Sequence, residues 1–560
     1  MRASDTDHPA AMFRKAVEQH RQGRFADALN SYDALIRLKP YAAMVHYNRG
    51  LVLHALSEFD DAIRSYDRAI ALKPDHAEAH HHRGIALRKL TRPEDAVRSY
   101  DHAIRLKPDH AGAWYNRGNA FRDLTRPEDA VRSYDAAIKL KPDHVGAHAN
   151  RGHALWDLGR PEEALRSFDQ AIRLKPDHAG AHFGRANMLY ELRRPGEALE
   201  SYERAVELNP DAAEMHVGKG NALKELKRLD DAIDSYDRAI AIRPEFAEAR
   251  WNKSVCQLLL GRFDEGWRLY EWRKKLPGRA GPRRHPQPEW TGTEGLEGKT
   301  LLVRAEQGLG DTIQFCRYAR LAREKGANVI LAVQEPLIGL LGGLDPAVEV
   351  VGMAAEVTGF DYQIALLSLP LALWTGRRNY RAAIPYLRAE PGRIGKWRDL
   401  FGKDGFRVGI CWQGNKQERA DIGRSFPLRH FERIAKIPRV RLISLQKGDG
   451  IEQLGDLPPG MRVETLGAFD TGPDAFVDTA AVMENLDLVI SADTAVAHLA
   501  GALGRPTWIA LKYIPDWRWL LDRSDSPWYP SAQLFRQTQR DDWSAVFAAM
   551  ETELRKIASR

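Results

Sequence analysis

The spacing of apolar residues changes once along the chain. Up to about residue 270, apolar residues recur three and four positions apart in short blocks, which is the pattern of amphipathic helices. After about residue 298, short apolar runs alternate with helical segments, which predicts strands and helices in turn. The stretch between them, residues 277–298, is rich in Pro and Gly and predicts an irregular linker. The sequence therefore predicts an all-helical region followed by an α/β region.

A register of 34 residues runs through the helical region. Arg-Gly pairs recur at 49–50, 83–84, 117–118 and 151–152, and prolines, aromatic residues and alanines return at the same interval. This arrangement resembles the tetratricopeptide repeat, a helix–turn–helix unit of the same period. The resemblance implies an α-solenoid, in which the small residue lets two helices approach closely and the proline ends the second helix.

We expect the solenoid to cover residues 9–276, as seven repeats and a partial eighth, after a flexible N-terminus of residues 1–8. The last part keeps the aromatic pattern at Trp267 and Tyr270 but loses the proline register, so it is predicted to cap the solenoid against the next domain. The concave surface of such an array usually binds a protein segment. That surface is the predicted site for a protein or peptide partner.

Histidines in the repeats raise the question of a metal site. Asp-His pairs recur one repeat apart, starting at Asp75, Asp109, Asp143 and Asp177. One repeat is too far for two pairs to share an ion, and an Asp after Pro is a good helix cap. The cluster His80-His81-His82 has no carboxylate or cysteine at ligand spacing. We interpret the pairs as caps and the cluster as a solvated helix face, and we predict no metal site.

The α/β region contains two groups of predicted strands. The first group lies in residues 299–390 and the second in residues 404–560, which ends in an amphipathic helix over 543–557. The predicted strands are 300–304, 328–333, 348–351, 363–367, 407–412, 440–445, 488–491 and 507–511. Parallel strands with intervening helices suggest two Rossmann-like lobes with a cleft between them.

Polar residues follow four of these strands. Asp493 and Thr494 lie between a buried strand and an amphipathic helix, where free N–H groups and the helix dipole form an anion site, and either side chain can cap the helix. Gly308 and Gly310 permit a tight turn before Asp311. Each of these four polar segments also has a structural interpretation, such as a plain helix cap or a surface loop. All four lie at strand ends, however, where ligands bind. The candidate site residues are Gln307, Gly308, Gly310, Asp311, Gln413, Asn415, Arg424, Ser425, Lys447, Asp493, Thr494, Ala495 and His498.

Composition narrows the functional classes. The net charge of +7 arises from 83 basic and 76 acidic residues without a block of like charge, so nothing requires a nucleic-acid partner. Three distant cysteines, Cys256, Cys316 and Cys411, argue against a disulfide framework and a zinc site. No apolar run is long enough for a membrane span, and no signal peptide is visible. We expect a cytoplasmic protein.

From about Trp290 onward, the chain resembles the heptosyltransferase-like group, glycosyltransferase family 9, which has the two-lobed GT-B fold. The matching motifs are Gly310-Asp311, Trp412 with Arg424-Ser425, Ser444-Leu-Gln, and Asp493-Thr494-Ala495 with His498. The blocks 306–315 and 516–523 look like those of bacterial proteins that fuse such a domain to tetratricopeptide repeats. The resemblance implies inverting transfer of a sugar from a nucleotide-diphosphate sugar to a hydroxyl acceptor, with no cofactor.

The resemblance also implies roles for individual residues. Asp311 would take the proton from the acceptor hydroxyl, and Arg424 would contact the donor phosphates. Asp493 and Thr494 would hold the donor sugar and diphosphate, while Lys447 would help to stabilise the departing nucleoside diphosphate. No Asp-x-Asp signature stands in the cleft segments, so no metal requirement is expected.

Two alternatives remain open. The chain is an adapter if its repeats bind partners and its α/β region only binds a nucleotide sugar, a possibility favoured by Ala495 where the family usually has Gly. Protein O-linked sugar transferases also join tetratricopeptide repeats to a GT-B fold, although the motifs of this chain look like the heptosyltransferase type. The sequence does not determine the donor base, the sugar or the acceptor.

Overall fold

A computed structural model describes residues 7–277, 285–373, 384–417, 421–471 and 475–558. The predicted flexible N-terminus, apart from its last two residues, and residues 278–284 of the predicted linker lie outside the described residues. The chain forms two compact units, Met1–Leu226 and Lys227–Arg560, and each is described by itself below.

Paired helices make up the first unit. Their bounds are α1 Asp7–Arg21, α2 Phe25–Leu38, α3 Ala43–Ala55, α4 Phe59–Leu72, α5 Ala77–Lys89, α6 Pro93–Leu106, α7 Ala111–Asp123, α8 Pro127–Leu140, α9 Val145–Asp157, α10 Pro161–Leu174, α11 Ala179–Glu191, α12 Pro195–Leu208 and α13 Ala213–Glu225. Within a pair, the small residue faces the aromatic one: a Cβ atom added to Gly84 would lie 2.6 Å from the ring of Tyr100. The glycine therefore sets the distance between the two helices, and the predicted solenoid is confirmed.

The caps of the repeats differ from the prediction. In four repeats, histidine occupies the N-cap position and its Nδ1 accepts a hydrogen bond from a backbone N–H group, as between His110 and Ala113 at 3.3 Å. The same bond is formed by His76, His144 and His178. The prediction that Asp caps these helices is wrong, because the Pro-Asp dipeptide forms the preceding turn and places His at the cap.

The predicted solvated face at residues 80–82 is also wrong. His80 and His81 are buried, with 7% and 8% of their surface exposed. They lie on α5, which packs against α4, α6 and α7, so little of its surface is left for solvent.

The second unit begins with three helices, α14 Leu229–Ile242, α15 Ala247–Leu259 and α16 Phe263–Tyr270, and a 3-10 turn at Glu271–Lys275. These helices pack against the α/β region through aromatic rings. The ring of Trp267 lies 6.0 Å from that of Phe315 and 5.2 Å from that of Trp517, each edge to face. The predicted contact of this segment with the next domain is therefore found, whereas its role as a cap of the solenoid stays a prediction.

Two parallel sheets form the rest of the second unit. The first has the order β3-β2-β1-β4, with β1 Thr300–Arg304, β2 Asn328–Val333, β3 Val348–Gly352 and β4 Tyr362–Ala365. The second has the order β10-β9-β8-β5-β6-β7, with β5 Phe406–Cys411, β6 Val440–Ser444, β7 Val463–Glu464, β8 Leu488–Ala492, β9 Thr507–Leu511 and β10 Ala532–Arg536. All eight predicted strands are found, whereas β7 and β10 were not predicted.

Helices follow most strands and cover the sheets. Their bounds are α17 Leu309–Phe315, α18 Arg317–Glu324, α19 Ile338–Leu341, α20 Leu369–Ala372, α21 Pro391–Phe401, α22 Glu432–Ala435, α23 Val477–Met483, α24 Ala495–Ala502 and α25 Trp543–Ala558. The predicted terminal helix is confirmed as α25, whose Phe547 packs in the core of the second sheet with Ile410 and Ile490. In open parallel sheets of this kind, ligands bind at the carboxyl ends of the strands.

Candidate functional site

A cleft with a volume of about 1420 Å³ opens in the second unit at the carboxyl ends of β1, β5, β6 and β8. Residues from both sheets line it. The predicted site residues in its wall are Gln307, Gly308, Gly310, Asp311, Gln413, Asn415, Arg424, Lys447, Asp493, Thr494, Ala495 and His498. Ser425 is absent from the wall. The structure therefore brings nearly all of the candidates from four separate loops into one cavity.

The N-terminus of α24 faces this cleft. Thr494 precedes the helix in an extended conformation, and its hydroxyl lies 3.1 Å from Ser491 Oγ instead of capping the helix. Thr494, Ala495 and Val496 all line the cleft. The expectation that Asp493 or Thr494 caps the helix is wrong, since α24 has no side-chain cap in the described structure. The Ala497 N–H group bonds the Thr494 carbonyl at 3.1 Å, so in the described structure the N–H groups of Ala495 and Val496 are left for another acceptor.

Asp493 and His498 are buried beside the helix N-terminus. Burial, and then the nearby Asp516 carboxylate, raise the pKa of Asp493. His498 Nδ1 lies 3.0 Å from the Tyr529 hydroxyl, and its ring stacks on Trp519 at 5.3 Å. Burial, followed by the charge of a neighbouring arginine, lowers the pKa of His498 to about 3. The imidazole is therefore neutral at physiological pH and helps to pack the helix.

Asp311 is the third residue of α17, the helix that begins shortly after β1. Its Oδ2 accepts a hydrogen bond from the Gly308 N–H group at 2.9 Å, and its Oδ1 accepts one from Arg518 Nη2. Gly310 packs against α24: a Cβ atom added there would lie 3.0 Å from His498 Cδ2 and 3.4 Å from Ala495 Cα. This close approach places Asp311 and the N-terminus of α24 in the same cleft.

Arg518 is a site residue that the sequence interpretation missed. Its buried guanidinium donates to Asp516 at 2.8 Å and to Gln314 at 2.7 Å, in addition to Asp311, and it lies 4.4 Å from the Trp517 ring. Burial lowers the pKa of Arg518, but the carboxylates of Asp516 and Asp311 outweigh that effect and raise it. The sequence signal for Arg518 is the 516–523 block, within which the sequence alone does not single out one residue.

Arg424 and Ser425 have different surroundings. Arg424 lines the cleft, and its buried Nε has no hydrogen-bond partner among the described residues; the nearest carboxylate oxygen, of Asp421, lies 3.6 Å away. The Ser425 hydroxyl donates to Asp421 at 2.6 Å and accepts from the Gly414 N–H group at 2.9 Å. Ser425 therefore fixes the loop, while Arg424 keeps donor capacity for a ligand.

Gln446 holds together the loops that follow β5 and β6. Its Oε1 accepts hydrogen bonds from the N–H groups of Trp412 and Gln413, both at 3.0 Å, and its Nε2 donates to the carbonyls of Gln413 and Asp449. The neighbouring Lys447 donates to the carbonyls of Phe469 and Asp470 at 2.8 and 2.7 Å. Lys447 therefore has one of its three N–H groups left for a ligand.

The rest of the cleft wall is formed by the loop that follows β1, by the loop that follows β5 and by the helices at the start of the second unit. Gln334 Nε2 donates to the Gln307 carbonyl at 2.6 Å, which fixes the turn before Asp311. Asn415 Oδ1 accepts from the backbone of Gln417 at 3.0 Å. Four residues from α15, α16 and the following turn also line the cleft: Trp251, Val255, Tyr270 and Arg273. Arg273 is buried and pairs with Glu306.

The helical region matches a known family. The tetratricopeptide repeat family matches residues 13–80, 81–148, 149–213, 188–245 and 217–270. Residues 13–270 are tetratricopeptide repeats. Protein FlbA of Caulobacter vibrioides is 29% identical over 334 residues, which cover 55% of this chain and 55% of that protein. The chain thus spans about half the length of this relative.

Several solved structures resemble part of the chain. One is YrrB, a TPR protein with an unusual peptide-binding site, which is 23% identical. The match covers 33% of this chain and 95% of the YrrB chain, with a TM-score of 0.30. MamA is 22% identical, with coverages of 30% and 93% and a TM-score of 0.29. A tetratricopeptide repeat protein from Parabacteroides merdae is 18% identical, with coverages of 44% and 98% and a TM-score of 0.36.

Among the described residues, no helix is both long enough and apolar enough to cross a lipid bilayer.

Proposed function

We propose that the α/β region is a glycosyltransferase domain of the GT-B type, which moves a sugar from a nucleotide-diphosphate sugar to a hydroxyl acceptor with inversion. The observation that carries this proposal is the shared cleft, whose wall contains both Asp311 and the N-terminus of α24. Ligands of open α/β sheets bind at this edge, and pockets for small ligands have volumes of about 300–1000 Å³. A cleft of about 1420 Å³ has room for a nucleotide sugar together with an acceptor group.

Three groups support a diphosphate at the second sheet. The first turn of α24 offers N–H groups and the positive end of the helix dipole. Arg424 offers a guanidinium fork whose Nε lacks a hydrogen-bond partner in the described structure. The remaining N–H of Lys447 adds positive charge. In the proposed reaction, these groups stabilise the negative charge that develops as the nucleoside diphosphate departs.

Asp311 is the proposed general base. Arg518 and the Gly308 N–H group each bond one carboxylate oxygen, so the side chain is held in one orientation across the cleft from α24. Each oxygen keeps a second lone pair, and one of these would accept the proton of the acceptor hydroxyl. Arg518 is therefore proposed as a positioning residue for Asp311.

The repeats are proposed to recruit the acceptor, as a protein segment or a component of surface-glycan assembly. A polar pocket of about 300 Å³ lies on the first unit. Its lining residues are Arg88, Tyr115, Asn119, Arg122, Asp123 and Asn150. Amide and guanidinium groups of this kind suit the backbone and acidic side chains of an extended peptide.

A second candidate function is binding without turnover. The ion pair with Arg518 favours it, since Arg518 already occupies Oδ1 of the Asp311 carboxylate. Ala495 favours it as well, because its methyl group lies in the wall where the donor would approach. In this alternative, the chain is an adapter whose α/β region senses a nucleotide sugar.

Release of nucleoside diphosphate from a panel of nucleotide sugars tests the proposal. The wild-type chain should hydrolyse at least one donor slowly, and Asp311→Asn should abolish that turnover while the melting temperature stays within a few degrees. Asp525→Asn is a matched control, because Asp525 is an exposed carboxylate that pairs with Arg523. Tight donor binding without turnover in the wild type would support the adapter instead.

Removal of residues 1–226 tests the role of the repeats. This deletion leaves the second compact unit whole. Donor hydrolysis should persist, whereas transfer to the natural acceptor should fall strongly. If transfer to that acceptor is unchanged, the repeats do not recruit it.

A further inference from the structure

One junction between successive repeats differs from its neighbours. In the repeats on either side, a tyrosine ring packs on the histidine that caps the next repeat: Tyr47 on His76 at 4.7 Å, and Tyr115 on His144 at 4.6 Å. Between them, His81 occupies the tyrosine position and packs on His110 at 4.5 Å. The repeat geometry is thus unchanged, but the ring that fills this position now carries two nitrogen atoms.

A carboxylate lies at the same junction. Glu78 precedes His81 by one turn of α5, where the next repeat has Gly112. Its Oε2 lies 3.2 Å from His110 Nε2, whereas its Oε1 faces Lys107 Nζ at 3.4 Å. His110 uses Nδ1 to cap α7, so Nε2 is the nitrogen left for another partner. The sequence interpretation overlooked this carboxylate when it found none near the histidine cluster.

His81 is the most buried member of the group. Its Nδ1 is buried and makes no hydrogen bond of ordinary geometry to the described part of the chain. The other nitrogen, Nε2, lies 2.9 Å from the side-chain amide of Asn116, which fixes the orientation of the ring. Burial, and then the charges of neighbouring histidines, lower the pKa of His81 to about 3. With its proton on Nε2, donated to the side-chain oxygen of Asn116 in the flipped amide, the ring keeps the Nδ1 lone pair for a ligand.

We propose that Glu78, His81 and His110 form a binding site for a divalent transition-metal ion of the zinc class. One donor atom from each residue lies within 4.8 Å of the other two. Zinc bonds to nitrogen and oxygen are about 2.0–2.1 Å long, so the donors of a tetrahedral site stand about 3.3 Å apart. The Glu78–His110 separation of 3.2 Å already fits, and small rotations of side chains would close the two edges to His81, which are no longer than 4.8 Å. Water supplies the fourth ligand.

The ion would join two successive repeats. Glu78 and His81 lie on α5, and His110 caps α7, so the bound metal links helices that otherwise meet through side-chain packing. Two imidazoles and one carboxylate suit zinc, cobalt or nickel better than calcium or magnesium, which prefer oxygen ligands. This proposal departs from the sequence-based prediction of no metal site in the repeats.

The site is tested by titrating the untagged, full-length chain with zinc chloride in an isothermal calorimeter. Cobalt chloride serves as a second probe, because a tetrahedral cobalt site has a visible absorption spectrum. The variants are His81→Tyr, which restores the residue of the neighbouring repeats, Glu78→Gln, and His110→Asn, which keeps a good helix cap. His144→Asn is the matched control, since it makes the same change one repeat later.

The wild type should bind one zinc ion per chain at this site and show the cobalt spectrum. Each triad variant should weaken the binding at least about tenfold and abolish the spectrum, while His144→Asn should bind as the wild type does. Circular dichroism should show the same helical content in all variants. Absence of binding by the wild type, or equal binding by wild type and triad variants, would overturn the proposal.

Discussion

Arg518 Nη2 donates a hydrogen bond to Asp311 Oδ1 across the cleft of the second unit. Asp311 follows the first strand of one parallel sheet, and Arg518 follows β9 of the other. Because Arg518 also bonds Asp516 and Gln314, it links both walls of the cavity at its base. The position of the proposed base thus depends on a residue of the opposite sheet.

We predict that Arg518→Met destabilises the chain. The guanidinium is buried, and its removal leaves the carboxylates of Asp311 and Asp516 without their cationic partner in a partly desolvated site. Breaking a buried pair by removing one partner costs about 3–5 kcal/mol. Urea unfolding measures this cost. Arg433→Met is the control: its exposed pair with Glu551 should contribute about 0.5 kcal/mol at most. Equal losses for the two variants would contradict a structural role of Arg518.

We predict that Gly310→Ala disturbs the site more than its size suggests. The added methyl group would lie 3.0 Å from His498 Cδ2, and His498 is held by Tyr529 and Trp519, so it has little room to retreat. Overpacking of this kind costs about 1–3 kcal/mol. Thermal unfolding and donor turnover should both decline. Gly392→Ala serves as a control, because nothing lies within 4 Å of a Cβ atom there. A Gly310→Ala variant of wild-type stability would contradict the close packing.

His498 should make the stability depend on pH. Burial, then a neighbouring arginine, lowers its pKa to about 3 in the folded chain, against 6.5 in the unfolded chain. Between these values the unfolded chain binds more protons, so the free energy of unfolding falls as the pH drops, by up to about 1.4 kcal/mol per pH unit. Above pH 6.5 this contribution is constant.

The variant His498→Gln should lose this component of the pH dependence. Urea unfolding at pH 7, 6 and 5 measures the slope, which should be shallower for the variant than for the wild type. Tyr529→Phe removes only the hydroxyl partner of the ring and keeps the imidazole buried, so its slope should remain steep. Identical slopes for His498→Gln and the wild type would show that this ring is not the source.

Regular patterns allowed the elements of this fold to be predicted from the sequence. The 34-residue register predicts paired helices because each helix must present a small or aromatic residue to the same neighbour, as Gly84 and Tyr100 do. Buried strands such as 488–491 can be predicted because they form short apolar runs in the sequence. Strand β7 has two residues and β10 is an edge strand with a polar Gln533, so neither has a clear apolar run.

Contacts between distant parts of the chain explain what the sequence did not reveal. Arg518 reaches Asp311 over 207 residues, a distance at which spacing carries no information. The junction at Glu78, His81 and His110 is similar, since the repeat fold and not sequence distance brings His110 to the first two. Local preferences can also mislead. Asp is a favoured helix cap, but the turn before α7 places His110 and not Asp109 at the N-cap position.

The most direct test of the proposed donor site is to measure the binding of nucleoside diphosphates to the wild type and to Arg424→Ala by isothermal calorimetry. A panel of nucleoside diphosphates should include at least one that binds the wild-type chain, and Arg424→Ala should weaken it by at least about tenfold because a charge-assisted phosphate contact is lost. Arg429→Ala, an exposed arginine outside the cleft, should leave the affinity unchanged. If no nucleoside diphosphate binds, or if both variants bind as the wild type does, the cleft is not a nucleotide-sugar site.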